Sequence, residues 1–229
     1  MSTQSAEVGS DEPVSIPELE FSVLGARSIP HAVAPTLAFD LHVAESTGRP
    51  VYMIALSIQL MLEPARRTYD ESTREKLVEL FGPPERWAVT TRSMLWAHLD
   101  AVVPAFKGST TVTVPIACNY DMEVAAAKYL HSLPEGEAPL AMHFNGMIYY
   151  RDDLGGLQMT LVPWTLSVDF RMPVSVWAET VEHYYPNTGW VALRSQTLEA
   201  LQREKVERGL ATFDQCVAAL IANRANPDA

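Results

Sequence analysis

Between Ser109 and Leu133 the hydrophobic period of the chain changes once, from two residues to about 3.6. Val112, Val114 and Ile116 share one face of a strand while Thr111 and Thr113 take the other. Asn119 or Asp121 can then cap a helix running through Met122, Val124, Ala125 and Tyr129. Period two recurs upstream. Leu19, Phe21 and Val23 alternate with Glu20 and Ser22; Leu37, Phe39, Leu41 and Val43 alternate with residues that include Asp40 and His42. In the longer run Tyr52 to Leu62, Ile54, Leu56, Ile58, Leu60 and Leu62 point one way. Gly25, Pro30, Pro35 and the cluster Ser46 to Pro50 supply turns, so these three strands read as an antiparallel meander.

A helix is predicted from Glu71 to Phe81, capped by Asp70 or Ser72 and ended by Gly82-Pro83-Pro84; Ser72 with Glu75 has the capping-box spacing. Residues 87 to 106 fit an apolar connection or strand, because their pattern does not separate strand from helix. Leu140 to Tyr150 and Leu157 to Phe170 read as two strands joined by the turn Asp152 to Gly156. Pro173 opens a helix from Val174 to Tyr185, stopped by Pro186. Ser195 can cap a helix containing Leu198 and Leu201 that ends at Gly209. Thr212 with Gln215 then forms a capping box for a last helix expected to bury Phe213, Cys216, Val217, Leu220 and Ile221.

These elements predict an α+β fold, mainly an antiparallel β-sandwich or curved sheet with two inserted helices and a C-terminal helical pair. Residues 1–17 read as a disordered acidic tail and 18–193 as the β-rich domain. Residues 194–229 read as a helical extension packed on the same domain.

Charge and composition narrow the partners. The net charge of −11, with 17 Lys and Arg spread along 229 residues, argues against nucleic acid and against an anionic membrane surface. Arg66 and Arg67 are adjacent, yet Glu63, Asp70 and Glu71 flank them. No apolar run approaches the roughly 20 residues of a membrane span, and the polar N-terminus lacks the features of a secretory signal. A soluble cytoplasmic protein is therefore expected. Cys118 and Cys216, far apart and among apolar neighbours, are expected as reduced core residues.

No CxxC, HExxH, GxSxG, GxGxxG or GxxxxGK pattern occurs, and the six histidines have no metal-ligand spacing. Neither a catalytic residue nor a metal site nor a cofactor is assigned. Three groups of residues remain as binding candidates. Asp40, His42, Gln59, His143, Asn145, Asp169 and Arg171 fall opposite the apolar register, either as a recognition or acid/base surface or as a solvated sheet face. Cys118 to Asp121, with Glu123 and Lys128, sit where a helix begins and could bind an anion or stabilise a thiolate, but Asp121 and Glu123 already complement its positive end and capping accounts for them better. The aromatics include Trp164, next to a proline in an apolar strand, which suits a groove wall or the core. The binding set is Trp164, Tyr120, Asp121, Lys128, His143, Asp169 and Arg171.

Several segments together carry a resemblance: PELEFSVLGARSIPHAVAPTLAFDLHV, RRTYD, FGPPERW, VPIACNYDMEVAAAKYLHSL, VPW and ALQREKVERGLATFDQ. Over residues 17 to 222 the chain resembles an uncharacterised actinobacterial family, a domain of unknown function encoded near [NiFe]-hydrogenase genes. The resemblance implies an accessory role in making or running that enzyme, and it brings no catalytic residues. The chain lacks the phosphate loop of a nickel-delivery GTPase, the His-rich tract of a nickel store and the cysteines of an iron–sulfur carrier. The function expected is that of a non-catalytic accessory protein binding a hydrogenase subunit or maturation factor. The alternatives are an enzyme using the polar sheet face, or a carrier of a small molecule or lipid.

Overall fold

The computed structural model describes residues 16–118 and 124–225. In chain order it contains β1 (Leu19–Ser28), β2 (Thr36–Glu45), β3 (Val51–Leu62), α1 (Glu71–Phe81), α2 (Trp87–Thr90), β4 (Met94–Val103) and β5 (Ser109–Ala117). There follow α3 (Ala125–Ser132), β6 (Glu137–Arg151), β7 (Leu157–Leu161), β8 (Ser167–Pro173), α4 (Val174–Tyr184), α5 (Ser195–Glu207) and α6 (Phe213–Ala225). The fold is α+β, with two open antiparallel sheets packed face to face.

One sheet has the order β1-β2-β5. The other has β4-β3-β6, with β7 and β8 lying one after the other along the far side of β6. The predicted meander therefore breaks after its second strand: β5 takes the second side of β2, and β3 crosses to the centre of the other sheet. The reason is burial. Leu37, Phe39, Leu41 and Val43 on β2 need a facing apolar layer, and the row Ile54 to Leu62 on β3 supplies it. The two layers interlock through Phe21 stacked on Phe144 (ring centroids 4.4 Å apart) and Phe39 set edge-on to Trp96 and Phe170.

Tertiary pairing resolves the ambiguous stretch 87 to 106 into the short α2 and β4, whose Ala97, Leu99 and Ala101 face the core. The predicted strand Leu157 to Phe170 is two strands. Pro163 has no N–H to give, and Leu166 N–H closes a turn onto the Pro163 carbonyl at 3.0 Å. The chain then rejoins β6 with Ser167 opposite His143.

α1, α3 and α4 cover one end of the sandwich, where β3, β5 and β8 finish and β4 and β6 begin. Of the two predicted caps, Asp70 serves α1 by accepting the Thr73 N–H at 2.7 Å, while Ser72 is helical and donates its hydroxyl to Asp70 at 3.2 Å rather than capping with Glu75. Phe81, Trp87, Tyr69 and Tyr129 pack edge to face there, and the Tyr69 and Tyr129 hydroxyls are 2.9 Å apart. α3 begins at Ala125; its predicted capping residues Asn119 and Asp121 lie outside the described residues, as does most of the predicted tail. At the opposite end the Arg49 guanidinium binds Asp153 at 3.1 Å and the Arg151 carbonyl at 3.0 Å, tying two strand connections together.

The last two helices form a hairpin. Gly209, at φ 63°, lets the chain leave α5. The Thr212–Gln215 capping box then opens α6, with Gln215 N–H donating to Thr212 Oγ1 at 3.1 Å and Thr212 N–H to Gln215 Oε1 at 3.3 Å. Ser195 is the first helical residue, with no capping bond from the preceding Arg194. Of the five residues expected to be buried on α6, only Cys216 is; Phe213, Val217, Leu220 and Ile221 are exposed. Two helices alone can cover only their common seam. Among the described residues, the core holds none from either helix.

Candidate functional site

The outer face of the β4-β3-β6-β7/β8 sheet is divided by type of side chain. Strand register sets His98, Gln59, His143 and Ser167 side by side across β4, β3, β6 and β8. Asp100, Ser57 and Asn145 form the next row toward the end away from the helices. Toward the helical end, Asp169 pairs with Arg66 at 2.6 Å, and Arg171 is exposed beyond it. Further from the helices the same face turns apolar, with Val102, Ala55, Met147 and Leu161 in one row and Met53, Tyr149 and Met159 in the next. The Arg151 guanidinium lies 5.7 Å from the Tyr52 ring centroid at its margin.

Five members of the predicted polar set, Gln59, His143, Asn145, Asp169 and Arg171, thus share one face. Asp40 and His42 do not join them. They lie on the outer face of the other sheet, where Asp40 accepts the Thr113 hydroxyl at 2.9 Å and pairs with Arg27 at 3.4 Å, and His42 Nδ1 lies 3.3 Å from Thr111 Oγ1. The two outer faces point in opposite directions, so a single acid/base constellation does not form. His98 was not singled out in the sequence, because its stretch had no clear period; pairing of β4 with β3 is what places it.

The remaining predicted residues separate. Trp164 stands in the break between β7 and β8, 87% exposed. Lys128 on α3 is 2.5 Å from Glu79 and ties α3 to α1. Tyr120 and Asp121 lie outside the described residues. Cys118 is buried, and burial pushes its thiol up to about 12, which keeps it protonated and unreactive at neutral pH.

A cavity of about 460 Å³ opens at the helical end among Pro64, Arg67, Tyr69, Arg74, Trp87 and Thr91. Two of its polar groups, Arg67 and Tyr69, are engaged in holding the fold, whereas among the described residues the buried Thr91 Oγ1 has no partner. Arg67 donates to the Glu135 and Glu137 carbonyls at 2.6 and 2.7 Å, and the Tyr69 hydroxyl donates to the Pro64 carbonyl at 2.7 Å. Burial, reinforced by the bond to Tyr129, holds the Tyr69 hydroxyl far above its ordinary range, which removes it as an acid or base near neutrality.

The C-terminal hairpin offers a different kind of surface. Phe213, Cys216, Val217, Leu220 and Ile221 recur at helical spacing along one stripe of α6, and all but Cys216 are exposed. A groove of about 520 Å³ runs beside it, lined by Leu198, Glu199, Gln202, Arg203 and Phe213. Lys205 Nζ sits 5.0 Å from the Phe213 ring centroid.

Residues 16–229 match a family described as a family of unknown function, DUF6084. No curated protein matches the chain. Among solved structures, the putative ApaA protein from Bordetella pertussis is similar at 11% identity, covering 70% of this chain and 96% of that one with a TM-score of 0.27. AggA, the major subunit of aggregative adherence fimbriae type I from Escherichia coli, is similar at 8% identity, covering 69% and 97% with a TM-score of 0.25. A β-glucosidase from Kluyveromyces marxianus is similar at 5% identity, covering 68% and 15% with a TM-score of 0.23.

Proposed function

We propose that this chain, which belongs to the DUF6084 family of unknown function, is a non-catalytic accessory or assembly protein that binds another polypeptide. The observation that carries this reading is the apolar stripe of α6, left exposed beside a groove and outside the core. A helix pair with one uncovered apolar face is completed by a third helix, whose apolar residues at i, i+3, i+4 and i+7 enter the groove. The partner that fits is therefore an amphipathic helix of another protein. The resemblance of the sequence to an actinobacterial family encoded near [NiFe]-hydrogenase genes supports hydrogenase biogenesis in the cytoplasm as the setting. Among the described residues, no helix is long and apolar enough to cross a membrane.

Affinity capture of the tagged chain from its own host tests the reading, with Ile221→Glu as the paired variant. Ile221 is 66% exposed, so the substitution leaves the fold intact while setting a charge on the stripe. Near-stoichiometric recovery of a hydrogenase subunit or maturation factor, lost in Ile221→Glu, is the expected result. Normal hydrogenase maturation in a deletion strain, with no hydrogenase component captured, overturns it.

A further inference from the structure

β7 wears its amphipathic pattern the wrong way round. Its sequence is LQMTL; Gln158 and Thr160 are on the side nearer the core, whereas Leu157, Met159 and Leu161 point outward, 55%, 66% and 65% exposed. Among the described residues, the backbone of the same three residues is also uncommitted. Val162 N–H donates to the Gly146 carbonyl at 3.0 Å, and Asp152 N–H donates to the Gly156 carbonyl at 2.9 Å. Between these two bonds the register sets Thr160 against Ile148 and Gln158 against Tyr150. Hydrogen-bonded pairs alternate along an antiparallel ladder, so Gln158 and Thr160 give their N–H and C=O groups to β6. Leu157, Met159 and Leu161 turn theirs to the open edge. Edge strands are ordinarily guarded by a charge, a proline or a bulge, and β7 has none of these.

We infer that the free edge of β7 pairs with β7 of a second copy, antiparallel about a twofold axis at Met159, joining two sheets into one. A second copy is the occupant because the strand is complementary to itself. The twofold sets Leu157 opposite Leu161 of the other copy and Met159 opposite its equivalent, which is the isologous contact of a closed dimer. Leu157, Met159 and Leu161 form one outward apolar row along the edge, and pairing brings the two rows side by side. The strand itself is uncharged, while each copy carries −11. Self-association at this edge is therefore opposed by long-range repulsion and strengthens with added salt, whereas a basic partner at the same edge binds more weakly as salt rises. This surface is distinct from the α5–α6 stripe and does not depend on it.

The test is sedimentation of the purified full-length chain across a concentration series, at low and high salt, beside Met159→Lys, Met159→Pro and Ile221→Glu. The wild type and Ile221→Glu are expected to dimerise, doubling the 25.4 kDa mass, more strongly at high salt. Met159→Lys sets two like charges side by side at the axis and weakens the dimer at least tenfold. Met159→Pro removes only an outward N–H, which β6 does not use, and also yields monomer. If that proline variant fails to fold, hydrogen exchange replaces it: the Leu157, Met159 and Leu161 amides of the wild type gain protection as concentration rises. A monomer at high concentration and high salt overturns the inference, as does a dimer that persists in Met159→Lys. Protection of the β7 amides only when another protein is added assigns the edge to that protein and overturns it too. Because Ile221→Glu affects only the α6 stripe, failure here leaves the hairpin reading standing, and the reverse holds.

Discussion

Glu45 shows how a single side chain organises a crossing between sheets. It is 5% exposed, and its Oε1 accepts the Thr47 N–H at 2.9 Å, the Glu18 N–H at 3.3 Å and the Thr47 hydroxyl. Burial by itself raises a carboxyl pKa, but the bonds from Thr47, Glu18 and Gly48 outweigh it and hold Glu45 below its ordinary 4.5. A lowered folded-state pKa contributes stability that is present above the ordinary value and lost as pH falls through the lowered one. Glu45→Gln should therefore cost about 1–3 kcal/mol at pH 7 by chemical denaturation. That difference should shrink as pH falls below 4.5, where the carboxyl of the unfolded chain takes up its proton first, and should be gone below the lowered folded-state value. The sequence reading named a strand through Val43 and a turn at Ser46 to Pro50, and Glu45 falls between them. Nothing in its spacing marked it as buried, because Glu18 reaches it only when β1 lies against β2.

At the scale of the element, Gly146 shows what strand pairing demands. It sits inside β6 at φ 147°, and a Cβ there would lie 2.0 Å from the Ala55 carbonyl oxygen of β3. Gly146→Ala has to part the two central strands, so a loss of about 3 kcal/mol or more is expected in the urea midpoint. Gly189→Ala meets nothing within 4 Å and should be near neutral in the same measurement. Strand identity was largely legible from period two, since β1, β2, β3 and β5 each show one apolar row. β4 was hidden by a bulge at Trp96, where the register shifts between Leu60 and Met61 and the alternation skips a residue. The split between β7 and β8 was signalled by Pro163, but the apolar run on both sides of it reads as one strand until β6 is alongside.

For the whole molecule, the sandwich and the C-terminal hairpin are separable in energy. Among the described residues, the core contains residues from all the longer strands and from α1, α3 and α4, and none from α5 or α6. A chain ending at Leu193 should keep its Tm within about 2–4 °C of the full chain, the shift that roughly 1 kcal/mol produces at this size. Circular dichroism melting checks it; a drop of 10 °C or more would mean that the hairpin braces the sandwich. The same truncation should abolish partner capture through α6 and leave self-association through β7 unchanged.

The sequence by itself determined the α+β class, the faces of most strands, the start of α1 at Asp70 or Ser72 and the Thr212–Gln215 box. Each of these depends on side chains within a few residues of one another, where backbone geometry dictates who is neighbour to whom. Tertiary structure alone decided that β3 leaves the first sheet and that Asp40 and His42 face away from His143 and Asp169. It alone decided, too, that the apolar residues of β7 and α6 are left outside the core. Those outcomes turn on which apolar row is buried against which, and that is a competition among segments far apart along the chain. Period two is the same for a strand that covers the core and for one that turns its apolar side to the solvent.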